Sequence, residues 1–359
     1  MRWADKHLYV AGTGVCLADR VAVDQAIAAG RYGRDESVAS GQLSACVASP
    51  EIRAPDLAIE AATRALRRSG YSPNDVGILL YAVEFHDGVD AWNAASYIQK
   101  AVASDHCVAA EIRSGCDGGM IGMELASAWL EAHRESRVAV VTASDIWADP
   151  FIDRWRTSSR FVLGDGGAAV VLTHEPGFAQ VLSIATVSDP SLEAMTRGEE
   201  QFGPFRHTAD HPIELAARVE QFLRGMAAEG GLSLAQAQAE LQRRTDDGAR
   251  AAVGKALAEA EADVSEIGHV AMAHINGPEV RRMLQSWLGS VDLARTTWEF
   301  GRRIGHLGPG DWFAGFDHLT QSGRASAGDL VLIIADGGGF AWTASVLKII
   351  DRPNVGYGQ

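Results

Sequence analysis

NDVGILLYAVE at residues 74–84 and SEIGHVAMAHI at residues 265–275 carry one pattern. Each sets an acidic residue, a β-branched residue and a glycine ahead of an apolar run. A second pair, GDGGAAVVL (164–172) and ADGGGFAWTASVL (335–347), recurs in the same order. Two matched pairs in matching order are the trace of two similar halves with unequal insertions. Around them, strands are expected at 7–14, 77–85 (after a turn at Pro73, Asn74 and Asp75), 107–112, 137–145 and 164–172, and helices at 55–70, 92–104 and 117–133. That alternation is α/β, with a mostly parallel sheet. The halves divide near residue 175, giving 1–175 and 176–359. A helix at 211–227 and an Ala-, Gln- and Glu-rich stretch after it make about 211–262 a helical insertion in the second half.

Composition narrows the function. The 359 residues include 32 Lys+Arg against 46 Asp+Glu, a net charge of −14. So acidic a surface is a poor partner for nucleic acid or anionic lipid, and no basic run offsets it. No stretch approaches the ~18 uninterrupted apolar residues of a membrane span, and MRWADKHLYVAGTG lacks the apolar core of a signal peptide. Cys16, Cys46, Cys107 and Cys116 form no CxxC and no His/Cys ligand spacing, so no metal is expected. A reduced, cytoplasmic protein is the expectation.

Cys116, in RSGCDGGMIGMELA (113–126), follows a short strand and opens a helix. A thiol at a helix N-terminus sits near partial positive charge, which favours thiolate. The free N–H groups there can hold an oxyanion on an attached acyl group. A nucleophile needs a base. His274 ends the run VAMAH, and His306 lies in GHLGPGD (305–311) with Asp311 five residues on. The GGG of 337–339 is a second turn whose N–H groups can complete an oxyanion hole. Neither GDGGAA nor ADGGGF has the spacing of a dinucleotide fingerprint, and there is no P-loop. Trp147, Trp155, Trp312 and Trp342 lie near these motifs, where core packing or a pocket wall would use them.

Taken together, Cys116 before a helix, GDGGAAVVL, His274, GHLGPGD and the closing GGGFAW resemble the thiolase-fold condensing enzymes, most nearly the ketoacyl-ACP synthase III family. The resemblance covers nearly the whole chain. It implies a duplicated, five-layered αβαβα fold, a homodimer, and an acyl-CoA (such as malonyl-CoA) or acyl-ACP donor with no permanently bound cofactor. It implies that Cys116 is the acyl-accepting cysteine and His274 the family histidine. Gly338 would be the residue whose N–H joins that of Cys116 in the oxyanion hole. Arg154 and Arg156 fall near the arginine that contacts coenzyme A phosphates. Condensing members carry Asn in a GN[TS] turn, where this chain has Gly305-His306-Leu307. An Asn amide donates without titrating, whereas an imidazole titrates. The departure puts decarboxylative condensation in doubt and leaves a Cys-His-Asp arrangement of Cys116 and Asp311 with His274 or His306 as base. A subgroup with this departure resembles acyltransferases of natural-product pathways. Those move malonyl or other short acyl groups onto sugar hydroxyls, or act on groups bound to an acyl carrier protein. The expected activity is transfer of a short acyl group to a hydroxyl or amine of a small molecule. The alternatives are a condensing enzyme with His306 in place of Asn and a catalytically silent partner subunit.

Overall fold

The apolar runs that close on acidic or glycine-rich turns form the strands of one large sheet. The computed structural model describes residues 2–85, 91–199, 213–289 and 292–354. The first half of the chain supplies β1 (Tyr9–Leu17), β2 (Asp19–Ala22), β3 (Ser44–Val47), β4 (Val76–Ala82), β5 (Val108–Ile112), β6 (Val138–Asp145) and β7 (Gly166–Thr173). The second supplies β8 (Ala179–Ser188), β9 (Ile267–Ala271), β10 (Leu330–Gly337) and β11 (Ala341–Ile349). Nine of these pair in the order β5-β4-β6-β7-β1-β8-β11-β10-β9, with β2 and β3 a separate hairpin.

The order repeats itself. β4 is parallel to β6, and β6–β7 and β7–β1 are antiparallel. From the other edge, β9 is parallel to β10, and β10–β11 and β11–β8 are antiparallel. So β1, β4, β6 and β7 have counterparts in β8, β9, β10 and β11. The quoted sequence pairs fall on equivalent places: β4 and β9 are each entered through a single 3-10 turn, Pro73–Asp75 and Val264–Glu266. The half-sheets join where Tyr9 faces Gln180 and Val10 faces Ala179, with an isolated bridge from Arg2 to Ser183 beyond.

A mostly parallel sheet is not what forms. Parallel pairing is confined to β4–β5, β4–β6 and β9–β10, and the remaining pairs of the large sheet are antiparallel. Residues 146–165 contain no helix to carry the chain back across the sheet, so β7 returns directly beside β6.

Helices give the five layers. The Ala54–Ser69 helix covers β1, β6 and β7, and Leu234–Ala260 covers β8 and β11. Between the half-sheets lie Gly118–Ala132, against β4 and β6, and Asp311–Gln321, against β1, β7, β9 and β10. Strands covered on both faces read as continuous apolar runs, and every residue of β6 and β7 is buried. The outer layer packs closely because its partners are small. The Ala54–Ser69 helix buries Ala58, Ala61, Ala62 and Ala65, and a Cβ on Gly14 of β1 would lie 2.2 Å from the Ala61 carbonyl oxygen.

The expected insertion at about 211–262 therefore divides in two. Leu234–Ala260 holds the place in the second half that Ala54–Ser69 holds in the first, so it is part of the repeat. Leu215–Gly230 is the added element; residues 211 and 212 lie outside the described residues. Among the described residues, no helix is long and apolar enough to cross a membrane.

Candidate active site

Cys116 sits in the turn that opens the Gly118–Ala132 helix, half-buried. Its Sγ is 3.0 Å from His306 Nε2 and 3.0 Å from Glu84 Oε2. The turn is held from both sides. Trp312 Nε1 donates to the Cys116 carbonyl oxygen at 2.8 Å. Gly115 has a φ of +56°, and a Cβ there would stand 2.7 Å from the Gly338 nitrogen. Only glycine allows both the left-handed conformation and that approach, which seats the 337–339 turn against the backbone beside Cys116.

His306 is placed by its neighbours in GHLGPGD. Its N–H donates to the Val162 carbonyl at 2.8 Å, and its own carbonyl accepts from Gly164 N–H at 2.9 Å. The turn Gly308–Gly310 then brings Asp311, the first residue of its helix, back to the ring. Asp311 Oδ2 accepts from His306 Nδ1 and from His274 N–H, and Oδ1 accepts from Leu307 N–H at 2.8 Å. With Nδ1–H directed at a carboxylate, Nε2 is left as the acceptor facing the thiol. Burial would raise the Asp311 carboxyl, but the charges of His274 and His306 carry it well below the usual carboxylate range. Burial likewise opposes an imidazolium at His306, yet Asp311, Glu84 and Asp336 outweigh it and hold His306 above the ordinary imidazole value.

Of the two histidines, His306 is the one whose ring reaches the thiol. His274 is fully buried with Nδ1 2.8 Å from Asp311 Oδ1, edge-on to Phe300, and it does not line the cavity over Cys116. It bears on Asp311, and no hydrogen bond joins it to the sulfur among the described residues. The chain leaves β9 at Ala271, so His274 turns inward instead of projecting from the sheet edge. The expected thiolate is also corrected. Burial, then the carboxylates of Glu84, Asp336 and Asp311, push the Cys116 thiol well above its ordinary value. Neutral peptide dipoles at one helix end do not offset three nearby acids.

Two acids at the site were not singled out in the sequence. Glu84, two residues past β4, and Asp336, near the end of β10, both line a cavity of about 260 Å³ with Cys116, His306, Arg160 and Gly338. The signal was an apolar run closing on an acid, the same signal that Asp145 gives at the end of β6. Asp145 is fully buried and accepts from the N–H groups of Glu84 and Phe85, at 3.2 and 2.8 Å. That clamp holds the Glu84 segment at the thiol.

Comparison with known proteins adds to the geometry. Residues 110–190 match the family described as 3-oxoacyl-[acyl-carrier-protein] synthase III, and residues 257–349 match its C-terminal part. The solved structure of ChlB3, described as an acyltransferase, is 33% identical with a TM-score of 0.88, covering 97% of this chain and 98% of that one. The chain belongs to the 3-oxoacyl-[acyl-carrier-protein] synthase III family. It is a thioester-dependent acyl-transferring enzyme with the thiolase fold. The synthase III of Aquifex aeolicus shares the fold at 18% identity, TM-score 0.71, with 95% and 99% of the two chains covered. The synthase III of Synechocystis sp. is 22% identical over 95% of this chain and 98% of its own.

Arg154, expected near donor phosphate, is instead held inside the protein. It is 8% exposed, with Nη1 and Nη2 on the two oxygens of Asp165 at 2.8 and 2.9 Å. Asp165 also accepts from Ala48 and Trp147 N–H. The aspartate of GDGG thus claims the arginine internally. Arg154→Leu is expected to cost about 3 kcal/mol in urea unfolding, because a buried carboxylate loses its cation, while leaving KM for the thioester unchanged. Arg156 is exposed, with one nitrogen on the Gly30 carbonyl at 2.9 Å. It lines a second cavity of about 530 Å³ that shares Ser158, Ser159, Phe161 and Ala216 with the first. None of the four tryptophans walls the Cys116 cavity, where Phe161 and Phe340 stand instead. Trp312 and Trp342 are core, and Trp147 and Trp155 line other cavities.

Proposed function

We propose that the enzyme takes a short acyl group from a coenzyme A or acyl-carrier-protein thioester onto Cys116 and passes it to a hydroxyl or amine of a secondary metabolite. The observation that carries this is His306 Nε2 at 3.0 Å from Cys116 Sγ with Asp311 behind the ring. A titrating base stands where the condensing relatives hold an amide donor. In loading, His306 takes the thiol proton as sulfur attacks the thioester carbon, and returns it to the departing thiol. In transfer, His306 takes the proton of the acceptor O–H or N–H as that atom attacks, and returns it to Cys116. The N–H groups of Cys116 and Gly338 hold the carbonyl oxygen in both steps. Such chemistry forms no carbon–carbon bond and releases no CO2.

Of Arg154 and Arg156, Arg156 is the one left to meet donor phosphate, lining the cavity that adjoins the site. The reading includes halves that divide near residue 175, a cytoplasmic location and, as the family resemblance implies, a homodimer. ChlB3, described as an acyltransferase, supports transfer as the outcome. The discriminating experiment incubates the enzyme with a malonyl thioester and an acyl thioester and measures CO2 and a β-ketoacyl product. Neither is expected above the background without enzyme. A stoichiometric yield of both would establish condensation and overturn the proposal.

A further inference from the structure

The charge around Cys116 bears on which acyl groups it can carry. Glu84 Oε2 lies 3.0 Å from the sulfur, and no ion pair reaches the Glu84 carboxylate among the described residues. Asp336 lines the same cavity, and burial holds its carboxyl above the usual range, against the pull of Arg160 and His306. Arg160 is the cavity's one cation among the described residues besides a protonated His306. It is engaged with Glu279 at 3.2 Å, and Glu279 in turn holds Arg282 by both oxygens. The Asp145 clamp on the N–H groups of Glu84 and Phe85 prevents the Glu84 backbone from simply swinging away. Apolar side chains, Met195, Leu215, Val219 and Phe340 among them, form the remaining walls. The whole cavity of about 260 Å³ has the volume of about nine waters at ~30 Å³ each.

We propose that Glu84, held by Asp145, is a specificity determinant that admits uncharged short acyl groups to Cys116 and rejects those ending in a carboxylate, malonyl included. The inference rests on the acyl-enzyme reading above. A malonyl group carries its carboxylate one methylene beyond the carbonyl, so on Sγ it stands beside whatever Sγ touches. A saturated acyl chain of similar size meets only the apolar walls. Like charges a few ångströms apart in a half-buried site cost enough to slow loading by about tenfold or more. The loading step is otherwise the same for both groups: the thioester C–S bond breaks, the Cys116 C–S bond forms, and the proton passes to the departing thiol.

The test uses the full chain with malonyl-CoA, its uncharged methyl ester and butyryl-CoA, following Cys116 adducts by intact mass against time. Malonyl-CoA and its ester differ chiefly by the charge in question. The ester and butyryl-CoA are expected to load at least about tenfold faster than malonyl-CoA. Glu84→Gln is expected to narrow the ester-to-malonyl ratio to about twofold, whatever it does to the absolute rates. Equal loading of malonyl and ester by the unaltered enzyme would overturn the selectivity and leave the acyl-enzyme reading intact. A ratio unchanged in both Glu84→Gln and Asp336→Asn would remove Glu84 from the role. No adduct from any of the three thioesters would overturn the acyl-enzyme reading itself, and this inference with it.

Discussion

Cys116→Ala is expected to abolish the acyl-enzyme and lower acyl transfer by about 10⁴-fold or more, the scale seen when a covalent nucleophile is removed from a unit that acts together. The loss should be complete because the site holds no substitute. Cys46 and Cys107 are buried, with burial pushing each thiol up to about 11, and Cys16 is raised by burial as well. None of the three lines the Cys116 cavity. The measurement is intact mass after incubation with an acyl thioester: the unaltered chain gains one acyl group and the variant gains none. The side chain is half-buried and its turn is held through backbone and Trp312. The variant should therefore unfold within a few degrees of the parent, which separates lost chemistry from lost structure. Transfer by the alanine variant at the parent rate would sink the assignment. Alkylation provides a second view. The Cys116 thiol is held well above its ordinary value, so iodoacetamide should react slowly with it at neutral pH and faster as pH rises.

The parts of the molecule legible beforehand are those written in contiguous residues. The two sequence pairs landed on equivalent strands because a buried strand and the turn that enters it are local features. Cys116 before its helix and Asp311 five residues after His306 were legible for the same reason: one turn joins them. What escaped was set by partners far apart in sequence. Arg154 read as a donor contact, but Asp165 reaches it across a loop that no periodicity describes. The helix terminus at Cys116 argued for thiolate, while the acids that outweigh it come from the ends of β4 and β10 and from Asp311, and only the assembled sheet brings these together. Strand direction was misjudged because 146–165 has the length of a crossover without a helix. His274 and His306 were equally eligible by residue type. Which of the two rings contacts the sulfur and which only Asp311 is a property of the packed central layer.

His306→Ala should slow Cys116 loading by about 10²–10⁴-fold, the usual contribution of a positioned base, and the pH profile then tells whether Asp311 works through it. Loading requires His306 neutral, so the rate rises with pH as the imidazolium loses its proton. Because Asp311, Glu84 and Asp336 hold His306 above its ordinary value against burial, the midpoint of that rise should lie above the ordinary imidazole value of about 6.5. Asp311→Asn removes the largest of the raising charges. Burial then dominates, and the midpoint should fall below about 6.5 while the plateau drops, since the ring loses both its orientation and the charge that stabilises the imidazolium. His274→Gln should act differently. His274 touches Asp311 and not the sulfur, so its loss should shift the midpoint modestly and leave most of the plateau rate. The measurement is the pre-steady-state rate of acyl-adduct formation between pH 5 and 9 for the three variants and the parent. A His274→Gln plateau as low as that of His306→Ala would move the base to the other ring. A midpoint that rises in Asp311→Asn would contradict the electrostatic account, because removing a negative charge beside an imidazolium can only make its proton easier to lose.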